Sequence, residues 1–262
     1  MVKKSLFISI VFAAIFFASI NAHACDVCGG GAGLNSLGLL STSSKNFIGL
    51  NYGAARYRTV HPQIFETDPY IEGISLNQKV EVMGRYKISP RFQVLGFVPF
   101  RNNTLNDTAN YAVNGLGDAS LLLNTQLVKK PNVKWVLGAG VKLPTGRTNK
   151  KIDGLVIPNI QLGTGSTDIF INSNLIYKKK NTGMINEVFF KYNTPTNWDY
   201  QFGHQGYISA MGFYSIQGIK ADIFPQLGLR YEFQTKDLES HQYNITSFYS
   251  GVQQLNLQAA TG

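Results

Sequence analysis

Hydrophobic and polar residues alternate along most of the chain beyond residue 45, most regularly in Leu76 to Ile88, LNQKVEVMGRYKI. Leu76, Val80, Val82, Tyr86 and Ile88 share one parity, interrupted only by Gln78 and Gly84. The other parity reads Asn77, Lys79, Glu81, Met83, Arg85 and Lys87. A period of two over this length is a strand with one apolar and one mostly charged face. A helix through the same residues would scatter both classes around its circumference. The pattern recurs and predicts ten strands, at 46–57, 75–88, 91–101, 117–128, 133–144, 166–177, 183–193, 203–216, 219–233 and 245–262. Strands of this length exceed the globular norm of about five or six residues and match a tilted transmembrane strand.

The connections between these strands add a second pattern. They run 58–74, 89–90, 102–116, 129–132, 145–165, 178–182, 194–202, 217–218 and 234–244, so long and short alternate throughout. Short turns on one rim and long loops on the other are the plan of an outer-membrane barrel. Ser89-Pro90, Lys130-Pro131-Asn132 and Gln217-Gly218 suit compact turns. The predicted fold is therefore all-β, an antiparallel up-and-down transmembrane barrel over 46–262 with ten strands visible. The strand aromatics, among them Phe92, Phe97, Phe100, Tyr177, Phe189, Tyr207, Tyr214 and Tyr231, suit interfacial girdles.

Composition agrees. Charged residues make up 15% of the 262, against a usual share of about 25%, while hydrophobic residues reach 44%. Both numbers also suit an exported soluble β-sandwich, which would be extracted without detergent and has no reason to alternate its loop lengths. Residues 1–24 read as a cleaved signal peptide: Lys3 and Lys4, an apolar stretch from Leu6 to Ile20, then Ala22-His23-Ala24 before Cys25. Losing Lys3 and Lys4 lowers the formal charge from +9 to +7. Three basic clusters, Lys129-Lys130, Lys150-Lys151 and Lys178-Lys179-Lys180, fall in predicted turns or loops, so the basic balance points to solvated turns and outer-membrane lipid head groups rather than nucleic acid. Residues 25–45 are rich in Gly and Ser and read as a flexible lead-in or a segment tucked into the barrel mouth.

Two places resist the pattern. Pro225 falls inside a predicted strand and implies a bulge or irregularity there. The sequence stops at Thr261-Gly262 within strand-like sequence and without a closing aromatic residue, which predicts either a further C-terminal hairpin, the favoured reading, or an atypical closing strand.

Candidate chemistry is sparse. His204 and Ser209 lie on opposite parities, His61 and His241 fall in long loops, and neither G-x-S-x-G nor H-E-x-x-H occurs. No enzyme and no cofactor is expected. Cys25 and Cys28 form a C-x-x-C at the mature start, open to three readings: a disulfide in an oxidising compartment, a metal contact, or lipidation of Cys25. The polar parity supplies the lumen-lining candidates Lys79, Glu81, Arg85, Asp118, Lys142, Asp168, Asn172, Asn174, Glu187, Lys191, Lys220, Asp222, Arg230 and Glu232. Both charge signs are present, so the charges either pair to fill a narrow barrel or line a conducting pore.

Three motifs bear on family: Gly115-Leu116-Gly117-Asp118, Val141-Lys142-Leu143-Pro144-Thr145-Gly146, and Gly163-Thr164-Gly165-Ser166 with Asp168. In this order and spacing they resemble the transporter-like outer-membrane family labelled for the meta-pathway of phenol degradation. The Cys-Asp-Val-Cys-Gly start and Tyr200-Gln201-Phe202-Gly203 look like a subgroup of it. The resemblance covers about residues 25–262 and implies a barrel of twelve strands that takes up hydrophobic or aromatic compounds. Read physically, the glycines permit tight turns at the rim. Asp118 and Asp168 are then expected to pin loops there rather than bind a ligand. The expected role is passive transport or binding of a small solute. The alternative is a structural or metal-handling envelope protein whose C-x-x-C segment is the functional part.

Overall fold

The computed structural model describes residues 46–61, 71–106, 109–152, 155–156, 160–196, 200–217, 222–223, 225–239 and 252–261. The expected signal peptide, the segment 25–45 with Cys25 and Cys28, and Lys220 lie outside the described residues. The strands in chain order are β1 (Phe47–His61), β2 (Ile71–Lys87), β3 (Phe92–Asn106), β4 (Asn110–Leu116), β5 (Ala119–Lys130) and β6 (Val133–Leu143). There follow β7 (Lys151–Ile152), β8 (Leu155–Val156), β9 (Asp168–Lys179), β10 (Thr182–Tyr192), β11 (Tyr200–Gln201) and β12 (Gln205–Tyr214). The series ends with β13 (Ile216–Gln217), β14 (Asp222–Ile223), β15 (Pro225–Gln234), β16 (Leu238–Glu239) and β17 (Val252–Thr261).

Ten long strands pair in the order β1-β2-β3-β5-β6-β9-β10-β12-β15-β17, each antiparallel to the next, and β4 pairs with β3. These are the ten strands the alternation predicts. Several bounds shift. The first strand continues to His61 and the second starts at Ile71, so His61 ends a strand rather than sitting in a loop. The span 102–116 is a strand hairpin rather than a loop: Asn102 to Asn106 extend β3, and Asn110 to Leu116 return along it. Its asparagine-rich composition reads as a loop, but ladder pairing satisfies the same backbone groups. Pro225 is the first residue of β15, so it stands at a strand end rather than in mid-strand as the alternation places it. A proline at a strand's first residue removes no ladder hydrogen bond.

Burial is inverted relative to a soluble sheet. On the face that the sequence marks as apolar, side chains stay open: Ile48 is 85% exposed, Leu121 49% and Leu123 48%. Between the last two, Leu122 points the other way and is 0% exposed. The charged parity is likewise closed off, with Lys79, Glu81, Arg85, Asp168 and Glu187 all buried. Among the described residues no α-helix covers this polar face. A single sheet with one face closed and nothing layered on it must curl so that its own far wall provides the cover. The sheet thus encloses polar groups and turns an apolar surface outward, as strands facing hydrocarbon must.

The rims differ as expected. Ile88 to Arg91, Pro131-Asn132 and Lys180-Asn181 are short turns on one side. Lys180 takes the left-handed backbone conformation, with φ 54°. Outward-facing Tyr86, Phe92, Trp135, Tyr177 and Tyr214 all stand near this rim, which fits an interfacial girdle. Phe97, Phe189 and Tyr207, expected in girdles, face inward instead. There they pack with Leu95, Leu122 and Phe170, with Met83 against them, as an apolar belt across β2, β3, β5, β9, β10 and β12. The register sets Gly140 between Leu122 and Phe170, and a side chain at Gly140 would collide with the Phe170 ring.

Candidate functional site

The inner face divides into three zones. At the loop-side rim, Asp118 is the centre of a knot that joins all three sequence motifs. Its Oδ1 accepts a hydrogen bond from the Gly146 backbone at 3.0 Å. Its Oδ2 accepts from the backbone N–H and the hydroxyl of Thr164, at 2.8 and 3.0 Å. Lys142 Nζ stands 3.3 Å from the Asp118 carboxylate and 2.5 Å from that of Asp168, and it also meets the Thr164 hydroxyl. Asp168 Oδ1 accepts in turn from the Thr194 backbone at 3.3 Å. Asp118 and Asp168 therefore pin the loops that follow β6 and β10.

The close packing needs small residues: a Cβ on Gly163 would lie 2.8 Å from the Gly146 Cα. Held in this way, the loop after β8 lies over the inner side of β3 and β4. Ile160, Gln161 and Leu162 are almost fully buried, Ile160 packs on Leu105 with Tyr111 and Val113, and Asn103 donates to the Gln161 carbonyl at 2.9 Å. Lys191 joins the charge cluster, within electrostatic reach of Lys142, Asp168, Arg101 and Asp118.

A second rim cluster lies beside it. Asp237 accepts from Tyr200 Oη at 2.5 Å, from the Gly203 backbone at 2.6 Å and from Gln234 Nε2 at 3.3 Å, tying β11 and β16 to the end of β12. Burial raises the Asp237 carboxyl above the ordinary aspartate range, and these three hydrogen bonds oppose that rise without cancelling it. His204 stacks on Tyr192, centroid to centroid 4.4 Å, and its Nδ1 accepts from the Asn193 backbone at 3.3 Å.

The middle zone is the apolar belt. Toward the turn side, Arg230 lies 3.7 Å from Glu187 and 3.4 Å from Glu232, with its guanidinium 4.1 Å above the Tyr207 ring. Tyr207 stacks on Phe189 at 5.1 Å. Arg85, also on the turn side, sits 4.7 Å over the ring of Phe47, whereas Lys79, opposite Arg101 on the loop side of the belt, pairs with Glu81 at 3.3 Å. Asn172 and Asn174 are buried on the same face.

Of the fourteen lumen candidates, Lys220 lies outside the described residues, and Asp222 is described through its backbone in β14. The rest occupy the inner parity, and all but Lys142, Lys191 and Glu232 are closed to solvent. Sequence reasoning missed Arg101, Thr164, Tyr200 and Asp237 as members of these clusters. Arg101 was the last residue of a strand predicted to end there, and the other three sit in spans that alternation does not describe.

The solved structures include a match. The crystal structure of an outer membrane channel from Pseudomonas putida F1 superposes with a TM-score of 0.54 over 82% of this chain and 80% of that one, at 13% identity. The chain has the fold of that channel. No family model and no curated protein matches the sequence. The likeness therefore speaks to architecture, and the chemistry rests on the side chains described above.

Proposed function

We propose that the chain is an outer-membrane β-barrel channel, exported through its N-terminal leader, which lets a small solute pass down its gradient. The observation that carries this reading is the inversion of polarity across long strands. Long strands turn Ile48, Leu121, Leu123 and their neighbours outward and hold Lys79, Glu81, Arg85, Asp168 and Glu187 inside. Such strands are long enough to cross hydrocarbon at a tilt, and they hold Lys79, Glu81, Arg85, Asp168, Glu187 and Arg230 away from it. The likeness in fold to a known outer membrane channel supports the same reading. The inner face offers fixed charges, amides and an apolar belt, which suits weak contacts with a passing solute rather than covalent chemistry.

A second reading has support of its own: paired charges and the belt fill much of the interior, as in a barrel that serves as an anchor. Planar-bilayer recording of the refolded protein separates the two, with and without residues 25–45. Discrete conductance steps that grow on deletion support a passage plugged by the N-terminal segment. Silence in both forms, from protein whose gel mobility shows the heat-sensitive shift of a folded barrel, refutes it.

A further inference from the structure

We propose that the turn-side rim is a docking collar for anionic phospholipid, in which Lys130, Lys179 and Lys180 hold the phosphodiester head groups of the leaflet on that side. The proposal rests on the membrane-barrel reading above.

The two rims carry charge differently. At the loop side Asp118, Lys142, Asp168 and Asp237 tie the loops down through ion pairs and hydrogen bonds within the protein. The turn side carries one sign. Residues 86–92, 128–134 and 177–183, YKISPRF, VKKPNVK and YKKKNTG, hold eight Lys or Arg and no Asp or Glu. The connection after β12 adds Lys220 and Asp222, one of each sign. Lys87, Arg91, Lys129, Lys130, Lys179 and Lys180 are exposed, and none of these six side chains makes an ion pair among the described residues. Lys129 also stands directly opposite Lys134 in the ladder, a like-charged arrangement that weakens a hairpin unless anions gather beside it.

Depth identifies those anions. Lys130 lies in one outward row with Val133 and Tyr177, and Lys179 in one with Thr182 and Tyr214. Lys180 is the next residue, in the turn itself. Tyr177 and Tyr214 face outward near this rim, where aromatic side chains sit at head-group level. A lysine at that depth lays its stem along apolar surface and carries its ammonium group to the phosphates. A soluble acid would meet the ammonium groups and leave Tyr177, Met184 and Tyr214 uncovered, whereas a lipid covers both. A zwitterionic head group brings its own cation, so a rim without carboxylates in these three turns gains most from a lipid of net negative charge.

The test reads lipid contact by electron spin resonance of chain-labelled lipids in phosphatidylcholine vesicles that hold the full-length protein. Labelled phosphatidylglycerol and labelled phosphatidylcholine are compared in wild type, in Lys130→Gln/Lys179→Gln/Lys180→Gln, and in the loop-side control Arg147→Gln/Lys150→Gln/Lys151→Gln. The heat-dependent gel shift confirms insertion of each. The expected result is a larger motionally restricted fraction for phosphatidylglycerol in wild type and in the control. That excess falls by more than half in the turn-side variant, and high salt removes it from wild type. A smaller fall, or an equal fall in the loop-side control, overturns the collar. Equal fractions of the two lipids in an inserted wild type overturn it as well and leave the barrel standing. A wild type that shows no gel shift and restricts neither lipid overturns the barrel reading, and the collar with it.

Discussion

Replacing Asp118 by Ala measures how far the loop-side rim depends on one carboxylate. Asp118 is buried and accepts from the Gly146 backbone, the Thr164 backbone and the Thr164 hydroxyl, with Lys142 at 3.3 Å. The alanine leaves two backbone donors without an acceptor, and each unsatisfied buried donor costs about 1–3 kcal/mol. Breaking a buried ion pair on one side costs roughly 3–5 kcal/mol. That charge penalty is partly recovered here, because Lys142 keeps Asp168 at 2.5 Å. The expected loss is therefore about 3 kcal/mol, and about 1 kcal/mol for Asp118→Asn, whose amide oxygen still accepts one backbone bond.

Two assays read this prediction. Guanidinium unfolding of the protein in lipid vesicles, followed by tryptophan fluorescence, gives the stability change. Trypsin gives the local effect: Arg147, Lys150 and Lys151 are exposed, Leu162 and Gly163 both donate to the Arg147 carbonyl, and a released loop can take the extended conformation that cleavage needs. In Asp118→Ala these sites are cut much faster while the strands keep their heat-dependent gel shift. A variant within about 0.5 kcal/mol of wild type and cut no faster refutes the knot as the element that holds the loop, since that is the scatter of an ordinary surface substitution.

Three further outcomes follow from other zones. Arg230→Met leaves Glu187 buried without its cation and is expected to cost about 3–5 kcal/mol, with most of that restored in Glu187→Gln/Arg230→Met, both read from unfolding midpoints. Leu123→Arg, on the outward face, is expected to cost about 2–4 kcal/mol of stability in vesicles, whereas a soluble sandwich would lose little. The raised Asp237 carboxyl makes the docking of β11 on β16 pH-dependent: the folded state favours the protonated acid, so its contribution is full below the ordinary value of 3.8 and is lost as pH rises through the higher folded value. Amide exchange at Gly203, corrected for intrinsic pH effects, should show weakening protection over that rise in wild type and a flat profile in Asp237→Asn.

Much of this architecture was legible as parity. Lys79, Glu81 and Arg85 stand on the face opposite Val80, Val82 and Tyr86, and β9 and β10 keep that division, with Asp168, Asn172, Asn174 and Glu187 opposite Ile169, Ile171 and Val188. The rim knot was legible as three small-residue motifs, although not as a single cluster, because strand alternation says nothing of where loops fold back. The apolar belt was misread for a different reason. A rule that sends apolar residues to lipid and polar ones inward has no place for Leu95, Phe97 or Tyr207 inside. The clue was the local failure of alternation: Leu121-Leu122-Leu123 and Ile169-Phe170-Ile171 are apolar on both parities. A run of that kind marks a strand with two apolar surroundings, hydrocarbon outside and a packed belt within.

The belt also constrains how anything could pass. In the ladder, Leu95, Leu122, Gly140 and Phe170 follow one another across β3, β5, β6 and β9. Gly140 therefore stands in that row as a gap, and the Phe170 ring leans over it. The neighbouring row repeats the device, with Gly138 between Asn124 and Asn172. Two glycines on β6 thus thin one wall just where large side chains crowd the other strands. A wall thinned in this way accommodates the inward rings without splaying the strands, so the glycines serve packing first. Passage then depends on whether the rings move. A phenyl group over a glycine loses few contacts when it rotates, because no side chain lies beneath it to be left uncovered. The belt is accordingly softest above β6, directly below Lys142 on the same strand. The charged rim and the part of the belt over the two glycines lie in line along the inner side of β6, the course a solute would take under the proposed channel reading.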